Sequence, residues 1–470
     1  MVHALAHHIT RRNRLLLMVA AVMVVATYVA STAAAATQYR VTGRGWGHGI
    51  GMSQYGAQGF ATHGYTAGQI IRYYYQGTTI GSVPAGARTV NVQLVSGRTA
   101  VIVRVDGSTA TLANGSASYS FVHNDRIELR VDGAGMDLYR TRGSERRKLA
   151  NNLAGVSVIG GAPSIATLFT AENGAYGHHY RGSLRIHRVG STLSVINRVG
   201  IELYLRSVVP SEMPSGWHPE ALKAQAIAAR SYAIATRSSS GIYDLHSDTR
   251  SQMYLGIEHE ESATNSAVQG TAGKAAKYGG SVIPAFFSST SGGRTAAIED
   301  VWGSPPRPYL KSVADPYESS PYSRWPEFRA YTPAGLAAQL NGYIAGSFRK
   351  ARVTINPSRR ADNVVVTGSG GTRNMPATTF QTRLGLRSTW FRIEQLTISA
   401  GTPSGGRVRV RGVVPGWGAT YLMRRVGSTW APIRRITPGP GGSFNRLEQV
   451  DGANRFGLKR AGHVGPVVEI

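Results

Sequence analysis

The chain has 470 residues, enough for two or three domains of ordinary size. It contains no cysteine, which excludes disulfide bonds and thiolate metal sites. Its 52 Lys and Arg residues outnumber its 25 Asp and Glu residues, and the formal net charge of +27 predicts an anionic partner. An arginine-rich composition without a binding role is the alternative interpretation.

The N-terminus has the pattern of an export signal. Three arginines precede an apolar run from Leu15 to about Val29, and a small-residue tail predicts cleavage near Ala36. An uncleaved membrane anchor is the alternative, but the run is shorter than the roughly 20 residues that span a bilayer. We therefore expect residues 1–36 to be a signal peptide and the protein to be secreted or held at the cell wall. For such a protein, anionic wall polymers or the membrane surface are favoured as partners over nucleic acid, for which no motif is present.

Residues 43–81 form a glycine-rich segment. Glycine alternates with other residues from Gly43 to Gly51, which predicts an extended strand with one face of bare backbone. The spacing fits neither a dinucleotide-binding fingerprint nor a phosphate loop. Ser53 is placed to cap a short helix that ends near Gly64.

A second helix is predicted from the capping box between Thr66 and Gln69, with its end at Gly77. The three tyrosines at positions 73 to 75 are candidates either for the core or for stacking on a sugar. Farther along, residues 88–198 are predicted to be β-structure, because alternating segments such as AVIVRVDG and RIELRVDG are regularly broken by turn-forming residues.

A single carboxylate stands among prolines and small residues between Val208 and Ala233. Pro210 and Pro214 flank Glu212, and because proline disfavours a continuous helix, we expect Glu212 to lie on a rigid turn. The alternative is that Glu212 is a solvated turn residue without a function.

A helix is predicted to begin at Pro219, with Glu220 in its first turn. Small apolar residues at spacings of three and four give this helix a narrow stripe that allows close packing: Leu222, Ala226, Ala229 and Ala233. Lys223 and Arg230 lie two turns apart on one face, so they either converge with Glu212 in a cleft or are surface charges. Glu202 is a competing acid, but IELYLRSV predicts a packed helical turn with Glu202 near its N-terminal end.

The segment after this helix contains three further candidate features. Residues 242–256 include His246, which stands without enough nitrogen or sulfur ligands for a zinc site, so we predict no metal and no cofactor. Residues 262–278 are predicted to form a helix that leads into the strand SVIPAFFS. The loop from Ser288 to Thr295 offers hydroxyls and glycines for sugar binding, and it lacks the GxSxG pattern of a serine hydrolase.

The C-terminal residues 397–470 contain short strand-like runs separated by turns such as PGP and GG. This pattern predicts a small Ig-like or fibronectin-like β-sandwich that acts as a wall-binding or spacer module.

Several of these segments resemble the SpoIID/LytB family, whose sporulation member is a lytic transglycosylase of peptidoglycan. The run YLRSVVPSEMPSGWHPEALKAQAIAARSYA is similar to the family signature at nearly every position. The segments GRGWGHGIGMSQYGA, SSTSGGRT, EDVWGSPPRPYLKSVADPYE and LGLRSTWFRI extend the resemblance over about residues 43–393. In the sporulation protein the glycine-rich motif lies near the C-terminus, so we expect it here to fold back against the region of Glu212.

The resemblance implies an α+β fold, a SpoIID-like domain with a β-rich insert followed by the C-terminal all-β module. The implied boundaries are a signal peptide at 1–36, a SpoIID/LytB-like domain at 37–395 (43–81 glycine-rich, 88–198 β-rich, 199–393 catalytic core) and the Ig-like module at 397–470.

The resemblance also implies roles for individual residues. Glu212 is the expected catalytic acid, and Lys223 and Arg230 are expected to line the substrate groove. Further substrate-binding candidates are His48, Ser53, Gln54, Gln252, Tyr254, Ser289, Thr290 and Ser291. Two departures from the family pattern, Phe287 in place of Tyr and Ser288 in place of His, remove a hydrogen-bond donor and a titratable group from the groove.

The resemblance therefore implies a peptidoglycan lytic transglycosylase. The one convincing acid in the motif region suits this activity, since ordinary glycosidases need two carboxylates. The expected partners are glycan strands and anionic wall polymers. The alternative is a glycan-binding enhancer of a cell-wall amidase, as the LytB side of the family implies. A structural wall protein is a third interpretation, but it leaves the motif around Glu212 unexplained.

Overall fold

The computed structural model describes residues 33–470 apart from 106–108, 161–165, 171–177, 239–240, 326–328, 417 and 451–454. Most of the predicted signal peptide therefore lies outside the described residues. The described chain is a strand-rich mixture of α and β structure arranged in several sheets. Its helices are α1 (Gln54–Thr62), α2 (Ala67–Tyr74), α3 (Ile201–Glu212), α4 (Pro219–Thr236), α5 (Ser262–Gly270), α6 (Ile298–Trp302), α7 (Pro333–Gln339) and α8 (Ala377–Leu384).

The strands fall into an N-terminal and a C-terminal half. Those of the first half are β1 (Ala33–Gly43), β2 (Met52–Ser53), β3 (Thr79–Ser82), β4 (Thr89–Arg98), β5 (Ala100–Val105), β6 (Thr109–Asn114), β7 (Ala117–Val122), β8 (Arg126–Asp132), β9 (Gly135–Arg142), β10 (Glu145–Leu153), β11 (Gly155–Gly160), β12 (Ala166–Thr170), β13 (His178–Tyr180), β14 (Ser183–Val189) and β15 (Thr192–Gly200). Those of the second half are β16 (Leu245–His246), β17 (Lys274–Tyr278), β18 (Ser281–Val282), β19 (Phe287–Ser288), β20 (Arg329–Tyr331), β21 (Phe348–Ile355), β22 (Ala361–Gly368), β23 (Gly371–Pro376), β24 (Phe391–Ala400), β25 (Arg407–Val413), β26 (Thr420–Val426), β27 (Thr429–Ile436), β28 (Ser443–Gln449), β29 (Arg455–Arg460) and β30 (His463–Glu469).

The β-structure predicted for residues 88–198 is confirmed. It forms two largely antiparallel sheets, with strand orders β10-β9-β8-β5-β12-β13 and β16-β4-β15-β14-β11-β6-β7. Alternate residues such as Val101 and Val103 on β5 and Leu129 on β8 are fully buried between the sheets. The same core continues onto α3 and α4 through Leu205 and Ala229, so the sheets hold these two helices in place.

A second core packs α1, α2 and the opposite side of α4 together. Ser53 caps α1 by accepting a hydrogen bond from the backbone N–H of Gly56, as predicted. The predicted capping box between Thr66 and Gln69 is also present, although α2 ends at Tyr74 rather than at Gly77. Tyr74 and Tyr75 are fully buried and belong to this core.

The helix predicted to begin at Pro219 is confirmed as α4, with Glu220 in its first turn. Its stripe of small residues is buried, and further alanines outside the stripe are buried as well. Because an alanine-rich surface lets neighbouring elements approach from several sides, α4 can lie between the two cores. This position makes α4 the central helix of the described chain.

Three predictions about local structure were wrong. The helix α3 continues through Pro210 to Glu212, because Pro210 stands in the last turn, where its missing N–H removes only one hydrogen bond. The helix predicted over 262–278 ends at Gly270, and the strand β17 follows it and pairs with β3. The stretch of alternating glycines, residues 44–51, is a loop rather than a strand, because glycines such as Gly47 and Gly49 have φ values of 102° and 75°.

The boundary predicted at residue 397 falls inside β24, which pairs with both β1 and β25. One five-stranded sheet, in the order β20-β1-β24-β25-β28, thus joins the two predicted domains. The remaining C-terminal strands form a second sheet, β27-β26-β29-β30, that shares a core with β24 and β25. The likeness to an Ig-like module is not confirmed.

Candidate active site

Glu212 is the last residue of α3 and stands where the two cores meet. Val209, one turn earlier, belongs to the core of the β-sheets, whereas the next residue, Met213, belongs to the core of α1, α2 and α4. The backbone leaves the helix at Met213 in an extended conformation, with φ −131° and ψ 138°. The helix end therefore places the Glu212 carboxyl at the junction of two rigid units.

The Glu212 carboxyl is half-buried and weakly hydrogen-bonded. Its Oε1 accepts a hydrogen bond of 3.2 Å from the backbone N–H of Met253. Burial raises the pKa of Glu212 above its ordinary value, and this effect exceeds the lowering by the Met253 N–H and by the side-chain amide of Gln54. A carboxyl with a raised pKa in a cleft is suited to donate a proton near neutral pH.

Gln54, a predicted site residue, lies beside Glu212 at the start of α1. Its Nε2 is buried and has no hydrogen-bond partner of good geometry, yet the amide is close enough to lower the pKa of the carboxyl. The glycine-rich segment thus folds back as predicted, and its helix α1 places Gln54 next to the acid.

Two tyrosines, Tyr204 and Tyr232, lie near the acid. The charge of Glu212 contributes to raising the pKa values of Tyr204 and Tyr232, in both of which burial is the largest cause. The ring of Tyr232 lies 5.6 Å from that of Phe286 and 6.4 Å from that of Phe287. Tyr204 and Tyr232 are therefore close enough to Glu212 to respond to its charge, and Tyr232 continues into a group of packed aromatic rings.

Arg230 was wrongly expected to line the groove. Its side chain is fully buried, and its guanidinium makes a bidentate ion pair with Glu202 at 2.6 and 2.9 Å. It also donates to the carbonyl oxygen of Lys274 at 3.0 Å. Arg230 therefore joins α3, α4 and β17, and Glu202 is its structural partner rather than a competing catalytic acid.

Lys223 does not contribute to the pKa of Glu212 either. Its Nζ pairs with Glu220 at 2.7 Å, and the other carboxylate oxygen of Glu220 accepts from the backbone N–H of Ala67. Lys223 lines a separate cavity of about 470 Å³ together with Lys274. The convergence of two cations on the acid is thus not observed.

The residues Gln252 and Tyr254 are buried and do not face an open groove. Gln252 accepts from the hydroxyl of Tyr204 at 3.1 Å and donates to the carbonyl oxygen of Ala229. The hydroxyl of Tyr254 donates to Asn197 Oδ1 at 2.8 Å. These bonds hold in place the loop whose Met253 N–H donates to Glu212. Both residues therefore position the acid instead of facing the groove.

His48 lies in the glycine-rich loop next to Trp302, with ring centroids 5.1 Å apart. Burial is the main cause that lowers the pKa of His48, to about 4, and the Arg360 guanidinium adds to it. The ring is therefore neutral at physiological pH, and its Nδ1 accepts a hydrogen bond from the backbone N–H of Ile50. The close packing explains the glycines here, since a Cβ on Gly49 would lie 1.9 Å from Arg360 Nη2.

The hydroxyl loop contacts acids of the protein itself. Thr290 and Ser291 are fully buried; both hydroxyls hydrogen-bond Glu318, and the Ser291 hydroxyl also donates to Asp315 at 2.8 Å. The direct sugar contacts predicted for Thr290 and Ser291 are excluded by this burial. Ser53 is likewise buried, and it caps α1 and accepts from the Ser291 N–H. Ser289 is half-buried, and its carbonyl oxygen accepts from the backbone N–H of Tyr55.

Asp315 and Glu318 are the main residues that sequence reasoning missed. Both lie in the segment VADPYE, where two closely spaced acids within a stretch that resembles the family were the signal in the sequence. Burial and the neighbouring Glu318 charge raise the pKa of Asp315 to about 7, against hydrogen bonds from Tyr74 and Ser291. Arg360 was also missed; it is fully buried and donates to the carbonyl oxygen of Ser291 at 3.0 Å.

No cluster of three or more potential metal-binding side chains occurs among the described residues, and His246 stands in none. Within the same residues, no helix has the length and apolarity required to cross a membrane.

Comparison with known proteins assigns a class to this fold and site. The family model described as stage II sporulation protein, SpoIID, matches residues 189–278, the stretch that contains Glu212 and the helices α3 and α4. A relative from Brachyspira hyodysenteriae (strain ATCC 49526 / WA1), an uncharacterized protein, is 33% identical over 268 residues, or 55% of this chain and 71% of the relative. The chain belongs to the SpoIID family.

Two relatives from Bacillus subtilis (strain 168) have descriptive names. The stage II sporulation protein D is 27% identical over 262 residues, which cover 51% of this chain and 73% of that protein. The amidase enhancer is 46% identical over 115 residues, but these cover only 24% of this chain and 16% of that protein. No solved structure matches the chain.

Proposed function

We propose that the protein is a lytic transglycosylase that cleaves the bond between N-acetylmuramic acid and N-acetylglucosamine in peptidoglycan glycan strands. The observation that carries this proposal is the half-buried Glu212, whose pKa is raised by desolvation without an opposing cation. The similarity to sporulation protein D over much of that protein's length supports it.

In the proposed reaction Glu212 acts first as a general acid. Its carboxyl proton passes to the glycosidic oxygen as the bond from that oxygen to C1 of the muramic acid breaks, and N-acetylglucosamine leaves with a free hydroxyl. The resulting carboxylate then accepts the proton of the muramic acid's own 6-hydroxyl, whose oxygen bonds to C1 and closes a 1,6-anhydro ring. The sequence is balanced without water and returns Glu212 to its protonated state. Such acid and base catalysis contributes about 10² to 10⁴ in rate.

A single carboxyl suffices for this chemistry, whereas hydrolysis of a glycoside uses a pair flanking the bond. The raised pKa favours the acid step, and the Met253 N–H favours the carboxylate that must act as base. The nearby side-chain amide of Gln54 on α1 also lowers the pKa of Glu212 and so favours the carboxylate. This balance between burial and hydrogen bonding allows one group to serve both steps.

Mass spectrometry of muropeptides tests the proposal. Purified protein is incubated with glycan strands stripped of stem peptides, with Glu212→Gln as the key variant. The control, Glu145→Gln, makes the same change at an exposed position on β10. We expect 1,6-anhydro products from the wild type and from Glu145→Gln, and a loss of at least about 10²-fold in Glu212→Gln.

The alternative function is a glycan-binding enhancer of a cell-wall amidase, favoured by the similarity to the amidase enhancer. It would be supported if neither the wild type nor Glu212→Gln releases products while both bind glycan strands and raise the rate of an added amidase. In that case the role of Glu212 as an acid would be excluded.

A further inference from the structure

A row of three arginines lies on the outer face of the C-terminal sheet. Arg407, Arg409 and Arg411 alternate on β25 with Val408 and Val410, which are buried in the core. Because successive side chains of a strand point to opposite faces, burial of the valines places all three arginine side chains on the solvent-exposed face. The row therefore follows from the same alternation that builds the core.

The row has a regular spacing. Residues two apart on an extended strand are about 6.6 Å apart. The three guanidinium groups can thus contact a linear ligand that repeats its negative charge at a similar short interval.

The neighbouring strands leave this charge uncompensated. On β28, Asn445, Leu447 and Gln449 stand opposite Arg411, Arg409 and Arg407, in that order.

On the other side, β24 places Ser399 opposite Arg411 and Thr397 opposite Val413. Across the described residues none of the three arginines forms an ion pair, and Arg409 makes only a 3.3 Å hydrogen bond to Asn445. The row is thus flanked by neutral side chains.

Both ends of the row open into cavities that contain further arginines. At the Val413 end, a cavity of about 390 Å³ is lined by Arg352, Arg392 and one acid, Glu394, whose carboxylate is paired with Arg460 at 2.9 Å. At the Arg407 end, a cavity of about 560 Å³ is lined by Arg424 and Arg434, with one acid, Glu448, whose carboxylate is paired with Arg434 at 2.9 Å. The basic track is therefore longer than one strand.

The whole C-terminal region shares this bias. Residues 397–470 hold eleven Lys and Arg residues against three Asp and Glu residues. Two of the three acids are already paired, Glu448 with Arg434 and Glu469 with Arg455.

We propose that this arginine row, defined by Arg407, Arg409 and Arg411, binds an extended phosphodiester polymer of the cell wall in which short polyol bridges separate successive phosphates. The guanidinium fork matches phosphate oxygens in pairs, and it is less strongly hydrated than an ammonium. Single-stranded nucleic acid is a poorer fit, because the outward residues beside the row include no aromatic side chain for base stacking. A bilayer is a poorer fit as well, because among the described outward residues beside the row the large exposed apolar side chains are Leu447 and Val413, too little apolar surface to insert among lipids.

The test measures binding to poly(glycerol phosphate) chains freed of lipid, by titration calorimetry over a range of salt concentrations. The key variant replaces Arg407, Arg409 and Arg411 by glutamine. The control variant makes the same change of charge at three exposed positions outside the C-terminal sheet, Arg126→Gln, Arg147→Gln and Lys311→Gln. Circular dichroism and thermal melting of all three proteins confirm that each is folded.

We expect the row variant to bind at least about tenfold more weakly than the wild type. The slope of its log binding constant against log salt concentration should be smaller, by the amount that two to three phosphate contacts contribute. The control variant should change little in either quantity. Sedimentation with purified cell walls gives a second reading: the wild type should bind intact walls and lose that binding when hydrofluoric acid has removed the phosphodiester polymers. Glu212→Gln should bind like the wild type in both assays, so the result does not depend on the proposed catalytic activity.

Three outcomes would overturn the proposal. Equal binding by the row variant and the wild type would show that the row is not the site. Tighter binding to a single-stranded DNA oligonucleotide, or to vesicles of phosphatidylcholine and phosphatidylglycerol, would assign the row to a different polyanion. Unchanged binding to acid-treated walls would place the ligand in the glycan or its peptides.

Discussion

Replacement of Glu212 by glutamine is expected to stabilise the protein at pH 7. Burial raises the pKa of this carboxyl in the folded state, so the folded chain favours the protonated form more than the unfolded chain does. Such a group contributes stability that is complete below its unfolded pKa of about 4.3 and is lost as the pH rises through its folded pKa. Glutamine retains an acceptor for the Met253 N–H and has no charge to desolvate.

Urea denaturation at pH 7 and at pH 4 measures this effect. The variant should unfold at a higher urea concentration at pH 7, and the difference should shrink at pH 4, where the wild-type carboxyl is mostly protonated in both states. A variant that is less stable than the wild type at pH 7 would contradict the account of Glu212 as a desolvated acid.

The buried Asp315, next to the half-buried Glu318, gives a second pH dependence. Burial is the main cause that raises the pKa of Asp315 to about 7, above an unfolded value near 3.9. Its contribution to stability is therefore lost as the pH rises from about 4 to about 7. In Asp315→Asn, the free energy of unfolding should therefore depend less on pH between about 4 and about 7.

Urea midpoints between pH 4.5 and pH 8 provide the measurement. Asp362→Asn, at an exposed position on β22, is the matched control and should leave the slope unchanged. An unaltered slope in Asp315→Asn would mean that the carboxyl titrates at its ordinary pKa.

The packing of α3 on α4 depends on the ion pair between Arg230 and Glu202. Removing one partner of a buried pair costs about 3–5 kcal/mol, and because Glu202 remains 34% exposed and can regain water, we expect the lower end, about 3 kcal/mol, for Arg230→Leu. The exposed neighbour Arg237→Leu should change the free energy of unfolding by less than about 0.5 kcal/mol.

Chemical denaturation of both variants distinguishes a structural role from a substrate-binding role for Arg230. A structural role predicts a loss of stability in Arg230→Leu, with glycan binding retained under conditions in which the variant is folded. Full stability combined with lost glycan binding would instead restore Arg230 to the groove.

Local signals in the sequence predicted several elements well. The cap at Ser53, the capping box at Thr66 and the proline start at Pro219 each depend on neighbours within one helical turn, and all three appear in the structure. Pro210 misled the prediction because its cost depends on its position in the helix, and that position is set by the packing of α3 rather than by the local sequence.

The surroundings of the candidate site depended on contacts that are distant in sequence. Gln54 lies next to Glu212 in the structure although it precedes it by 158 positions in the chain. This proximity was predicted from the family motif, because no periodicity in the sequence indicates it. Motif membership did not separate residues that line a groove from residues that support it, as the buried Arg230 and Ser291 show. Burial is a property of the whole fold, so it had to be observed.

The C-terminal region is expected to unfold together with the rest of the chain rather than as an independent module. The strand β24 is shared, and the buried Arg40 of β1 donates to the carbonyl oxygens of Arg460 and Gly465 across the predicted boundary. Leu458→Ala removes a fully buried side chain from the C-terminal core and should cost about 2–5 kcal/mol. Differential scanning calorimetry should then show one transition in the wild type that shifts as a whole in the variant, with Leu447→Ala, at an exposed position, as the control. Two transitions, of which only one moves in Leu458→Ala, would show that the shared sheet does not couple the two regions and that the C-terminal strands fold on their own.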